Sequence, residues 1–80
     1  MKKTKPPSLE YHSIKGSKRT RLIQERKKLG MTQKELAKII GCSEATISYL
    51  ENGRMKPGLE ISLSLQEIFD LNYEEIFPDL

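Results

Sequence analysis

Two short amphipathic runs meet at a single glycine within residues 33–52, QKELAKIIGCSEATISYLEN, and that junction restricts the fold more than any other feature of the chain. The first run opens on a capping box, Thr32-Gln33-Lys34-Glu35, in which Glu35 is placed to reach back to the backbone of the cap residue. Leu36, Ala37 and Ile40 recur as one buried stripe. Gly41 ends that stripe, because glycine accepts the left-handed backbone conformation that other residues resist. Ser43 caps another helix only two residues later, with Ile47, Leu50 and Glu51 facing inward and Asn52-Gly53 closing it. So tight a turn excludes ordinary antiparallel packing. The second helix must cross the first, and Ala37 is small where they cross. Such a unit holds one helix proud of the surface, where it can enter a major groove.

Around this core the pattern is helical. Leu22, Ile23, Arg26 and Leu29 share one face of a helix that begins near Lys18, and Gly30 supplies its stop. The loop from Gly53 to Gly58 contains Pro57. Beyond it Leu59, Ile61, Leu63 and Leu65 alternate with polar residues as a half-buried strand would. No partner strand is available, and Leu65, Ile68 and Phe69 have helical spacing, so the segment reads as a fourth helix. A short fifth helix, about Tyr73 to Phe77, follows Asn72 as its cap. Residues 1–17, rich in Lys, Pro, Ser and Gly, read as a flexible basic arm, pinned if at all through Tyr11 or Ile14. The expected organisation is an arm over 1–17 and an all-α domain over 18–80.

Charge divides the chain. Residues 1–30 hold ten Lys or Arg against two Glu, whereas residues 31–80 hold four basic residues against nine acidic. A basic pole of that strength suits a polyanion, although a solvated tail gives the same composition. A domain of 80 residues buries roughly 60% of its unfolded surface, which leaves little room for a deep substrate pocket. Neither a nucleophile–base arrangement nor a glycine-rich phosphate loop is present, so an enzyme is not expected. The one cysteine, Cys42, excludes an internal disulfide and reads as a small core residue in a reducing, cytoplasmic protein. His12 has no companions that suggest a metal, and no cofactor is implied. Lys2, Lys3 and Lys5 lead into Pro6-Pro7 with no apolar region behind them, so neither a signal peptide nor a membrane span is expected.

From about Arg19 to Phe77 the chain resembles the Cro/phage-repressor type of helix-turn-helix, the Xre family. The resemblance rests on Leu29-Gly30-Met31-Thr32-Gln33, Glu35-Leu36-Ala37, Gly41, and Ile47-Ser48-Tyr49-Leu50-Glu51-Asn52-Gly53, with Leu71 to Phe77 similar to the family's closing helix. It implies a five-helix, lambda-repressor-like fold whose third helix reads DNA, usually as a two-fold dimer. Two residues depart from the pattern. Asp70 stands where many relatives have Gly, and Glu44 opens the reading helix where neutral or basic residues are more usual.

On a helical projection Ala45, Ser48, Tyr49 and Asn52 point away from the Ile47–Leu50 face, with Glu44 and Thr46 beside them at the N-terminal end. Glu44 can accept from a cytosine amine, Ala45 or Thr46 can touch a thymine methyl, and Ser48 and Tyr49 offer hydroxyls. Glu44 also has a purely structural reading, as a favourable charge at a helix N-terminus. The base-reading candidates are therefore Glu44, Ala45, Thr46, Ser48 and Tyr49. The resemblance places Gln33 on a phosphate, and Asn52, Arg54 and Lys56 in a loop that grips the backbone. Lys18 and Arg19, with Lys2, Lys3, Lys5 and Lys15 of the arm, are further phosphate candidates. Arg26 and Glu51 fall on apolar faces, where a charge is costly unless paired; a structural ion pair between them would lock the first helix to the third. Apolar residues on both sides of the fourth helix suggest a homodimer, with Ile61, Leu65 and Ile68 at its interface.

The functional expectation is a sequence-specific transcriptional regulator, a repressor, bound to a near-palindromic double-stranded DNA operator. The alternative is an antitoxin or anti-regulator of the same fold that acts mainly through a protein partner.

Overall fold

Helix boundaries fall where local backbone chemistry places them. The computed structural model describes residues 17–80, in which five helices follow in order: α1 (Thr20–Lys28), α2 (Gln33–Ile40), α3 (Glu44–Glu51), α4 (Leu59–Phe69) and α5 (Tyr73–Ile76). The arm expected over 1–17, with Tyr11, His12, Ile14 and Lys2, Lys3, Lys5 and Lys15, lies outside the described residues apart from Ser17.

α1 carries Arg26, Lys27 and Lys28 in its last turn, where the helix dipole favours cations. It stops at Gly30, whose φ of 71° is left-handed. Thr32 Oγ1 accepts from the Glu35 amide at 3.0 Å while the Glu35 carboxylate accepts from the Thr32 amide at 2.8 Å, completing the capping box of α2. Gly41, at φ 92°, turns the chain, and the amides of Gly41 and Cys42 both donate to Ala37 O. Ser43 Oγ then accepts from the Thr46 amide and starts α3. A second capping box, Asn72 with Glu75, opens α5. Asp70, between α4 and α5, adopts φ 55°. Asp is among the few residues other than glycine that visit the left-handed region, which lets the chain turn there.

All five helices contribute to one core of Leu22, Leu36, Ala37, Ile47, Leu50, Leu65, Phe69, Ile76 and Phe77. α2 packs most extensively on α3, α1 crosses α3 and α5, and α4 contacts α2 and α5. Two expectations need correction. Leu29 does not join the buried face of α1: it is the C-cap, beyond the last turn, and is 55% exposed. The sides of α4 are also reversed. Leu65 is fully buried within the monomer beside Phe69 and Ser62, and Ile61 and Ile68 pack against the same core. Leu59 and Leu63 are the exposed pair, at 75% and 54%. Leu65 and Phe69 lie four residues apart on one stripe, and that stripe meets α2 and α5; Leu65 is thus unavailable to a second subunit.

Candidate nucleic-acid interface

α3 is fastened from behind by a buried polar network. Arg26 Nε lies 2.5 Å from Glu51 Oε2 and Arg26 Nη2 lies 3.2 Å from Glu51 Oε1. Arg26 Nη1 donates to Met31 O at 2.8 Å, tying α1 to the α1–α2 turn. Gln33 Nε2 completes the set by donating to Glu51 Oε1 at 2.9 Å. One carboxylate on α3 is therefore held by the guanidinium of α1 and the first residue of α2. Every buried side-chain polar atom among the described residues has a partner. Such satisfaction is what makes a buried charge tolerable, and it fixes the tilt of α3 relative to both neighbours.

The opposite face of α3 is open. Glu44, Ala45 and Tyr49 are exposed, and Thr46 and Ser48 are half-buried. Thr46 shares a hydroxyl contact of 2.9 Å with Ser43, so part of its capacity serves the cap. Asn52 caps the other end of α3, its amide donating to Ser48 O at 2.8 Å. Arg54 follows with its backbone N–H on Tyr49 O, and the side chains of Arg54 (half-buried) and Lys56 (exposed) leave the same loop. Lys18, just before α1, is exposed as well. Of the α3 candidates Glu44, Ala45 and Tyr49 thus stand in solvent, whereas the Gln33 side-chain amide is turned to the buried Glu51 behind the helix.

Arg19 does not join the exposed candidates. Its side chain is only 3% exposed and forms an ion pair with Asp79. It also donates to Leu50 O and Met55 O and lies 5.1 Å from the centre of the Phe77 ring. A guanidinium so enclosed cannot reach a phosphate, and the phosphate role expected for Arg19 is withdrawn. Sequence reasoning missed both this enclosure and the Gln33–Glu51 bond. The polar character of Asp79, in a closing segment otherwise apolar at Phe77 and Leu80, was its faint signal.

The Arg19 hydrogen bonds hold the Asp79 carboxyl below its ordinary value. On the surface of α1, hydrogen bonds from Arg21 and Lys28 do the same for Glu25. Burial pushes the Cys42 thiol up, which makes it a poor nucleophile, in keeping with its contact with the core. Among the described residues no group of three or more His, Cys, Asp or Glu could hold a metal, and no helix is long and apolar enough to cross a membrane.

Comparison with known proteins agrees with this geometry. A family model described as helix-turn-helix matches residues 22–76, which spans all of α2 to α5 and most of α1. Two Archaeoglobus fulgidus proteins, each described as an HTH-type transcriptional regulator, are 41% identical over 59 residues. The match covers 74% of this chain and 84% and 83% of theirs. A Methanothermobacter thermautotrophicus protein of the same description is 49% identical over 41 residues, covering 51% of this chain and 59% of that one. No solved structure matches significantly. With matched residues reaching from α1 to α5, the chain belongs to the helix-turn-helix family of DNA-binding transcription regulators, of the Xre type that its sequence resembles.

Proposed function

We propose that the chain represses transcription by binding one double-stranded operator with α3 in the major groove. The observation that carries this reading is the asymmetry of α3. Its inner face is locked by Arg26, Gln33 and Glu51, while its outer face offers Glu44, Ala45, Thr46, Ser48 and Tyr49 to a ligand. A rigid reading helix loses little conformational freedom on binding, which favours sequence discrimination. Gln33, Asn52, Arg54, Lys56 and Lys18 supply phosphate contacts, supported by the basic arm. Repression follows from occupancy, since a bound domain blocks a promoter without any further activity.

The working unit is a two-fold dimer. One α3 spans only a few base pairs, and two related by symmetry would sit about 34 Å apart on a near-palindrome. Leu59 and Leu63, not Ile61, Leu65 and Ile68, supply the contact. Leu63 lines a groove of about 460 Å³ together with Ile40, Gly41, Glu60, Ile61 and Ser64, and Leu59 is exposed one turn earlier on the same helix.

Selection of binding sites from random duplex DNA tests both statements. The expected product is a motif with two half-sites one helical turn apart. Tyr49→Ala should change the preference at one position in each half-site, at about 1–3 kcal/mol for the base interaction it removes. Absence of any enriched motif would overturn the reading. A single asymmetric half-site, bound by a protein that sediments as a monomer with and without DNA, would overturn the dimer. Recovery of a small protein partner together with failure to enrich DNA would favour the antitoxin or anti-regulator alternative.

A further inference from the structure

Arg19 takes no part in the DNA reading, yet its donors are almost fully used. Nε and Nη2 grip the two Asp79 oxygens at 3.0 and 2.9 Å, a bidentate pair. Nη1 donates to Leu50 O at 2.8 Å and to Met55 O at 2.7 Å. The Arg19 amide adds a bond of 2.7 Å to Glu51 O. These acceptors belong to three places: the last turn of α3, the loop after it, and the segment after α5. The last turn of α3 has no basic residue of its own. Arg19 therefore supplies the cation that the carbonyl end of a helix favours.

Met55 is the middle residue of Arg54-Met55-Lys56, the loop assigned above to the DNA backbone. The start of that loop is anchored by Gly53 N–H on Leu50 O and Arg54 N–H on Tyr49 O. Among the described residues, Arg19 Nη1 donating to Met55 O ties the loop to the domain beyond Arg54. The Met55 side chain packs against the edge of the core, while a cleft of about 210 Å³ lined by Arg19, Arg54, Lys56 and Asp79 opens beside the flanking residues.

We propose that Arg19, oriented by Asp79, is a positioning residue: it sets Arg54 and Lys56 in register with α3, so that phosphate and base contacts form together. The inference rests on the DNA reading of that loop. Asp79 orients the guanidinium by occupying one edge of it, which leaves Nη1 aimed at the two carbonyls. Lys at position 19 would keep the charge but lose the planar fork that meets three acceptor sites at once.

The full chain is used for the test, with the duplex selected from random DNA as probe. Asp79 is 36% exposed, so Asp79→Ala opens the pair to water instead of leaving a void, and Asp79→Glu restores the carboxylate. In the free protein, Asp79→Ala and Arg19→Lys should lower the backbone order parameters of residues 54–56 from the rigid range, about 0.85, towards 0.6. Affinity should fall roughly tenfold, the worth of one charge-assisted hydrogen bond. The plot of log affinity against log salt should become shallower by about 0.9 for each phosphate that is no longer neutralised. Arg54→Ala should then weaken binding less in the Asp79→Ala background than in wild type, and Asp79→Glu should recover most of the affinity. Unchanged order parameters and salt slope, with only a lower melting temperature, would reduce Arg19 to a structural clamp and overturn the proposal. So would an Arg54→Ala effect of equal size in both backgrounds. If wild type selects no duplex, or Arg54→Ala never weakens binding, the DNA assignment of the loop fails and takes this proposal with it. Binding through Arg54 without coupling to Asp79 overturns the positioning role alone.

Discussion

Replacing Arg26 with alanine should remove about 3–5 kcal/mol of the stability of this domain. The Glu51 side chain is 3% exposed and its carboxylate receives three N–H bonds, two from Arg26 and one from Gln33. Arg26→Ala deletes two of the three, together with the bond to Met31 O, and leaves a buried anion with one neutral donor. Stranding one member of a buried pair costs about 3–5 kcal/mol. A domain of this length is expected to have roughly 4–12 kcal/mol in total, from about 0.05–0.15 kcal/mol per residue. The variant should therefore lie close to the unfolding midpoint at room temperature if the total is at the low end. Urea unfolding at neutral pH, followed by helical circular dichroism, measures the change directly. The double replacement Arg26→Met with Glu51→Leu is the informative control. It removes both charges, so it also removes the desolvation cost, and should recover most of the stability missing from the single variant. The reasoning is refuted if Arg26→Ala costs under about 0.5 kcal/mol, the behaviour of an exposed pair. It is refuted equally if the double variant is destabilised by the sum of the two single effects.

Gly41→Ala should cost about 1–2 kcal/mol in the same assay through backbone strain alone, because nothing lies within 4 Å of the added Cβ while φ is 92°; an unchanged urea midpoint would show that the turn relaxes. Asp79 has a folded-state pKa below its ordinary 3.8, so its contribution to stability is complete above about that pH and is lost as the pH falls further. Urea midpoints measured between about pH 5 and 2 should accordingly fall less steeply in Asp79→Asn than in wild type, and parallel profiles would refute the linkage. Deleting residues 1–17, with Lys2, Lys3, Lys5 and Lys15, should weaken DNA binding and flatten its salt dependence while leaving base preference intact. Equal affinity of the shortened protein at physiological salt would make the arm a bystander.

The sequence by itself determined which segments are helical and where the helix-turn-helix lies. Those signals are local. Thr32 with Glu35 and Ser43 with Thr46 act within one turn of chain, and the left-handed positions at Gly30, Gly41 and Gly53 follow from a property of glycine alone. Arg26 and Glu51 were legible as partners because a lone charge on an apolar stripe demands one, and few candidates were available. Tertiary structure decided what depends on which surfaces meet. The sequence makes α4 apolar on both sides, and only docking against α2 and α5 buries Leu65 and Phe69 while leaving Leu59 and Leu63 in solvent. Arg19 looks from its neighbours Lys18 and Arg21 like one more surface cation of a basic segment. Its acceptors stand 31, 36 and 60 residues away, at Leu50, Met55 and Asp79. Contacts of that range carry no periodicity and no spacing rule, so only the packed chain reveals that this charge points inward.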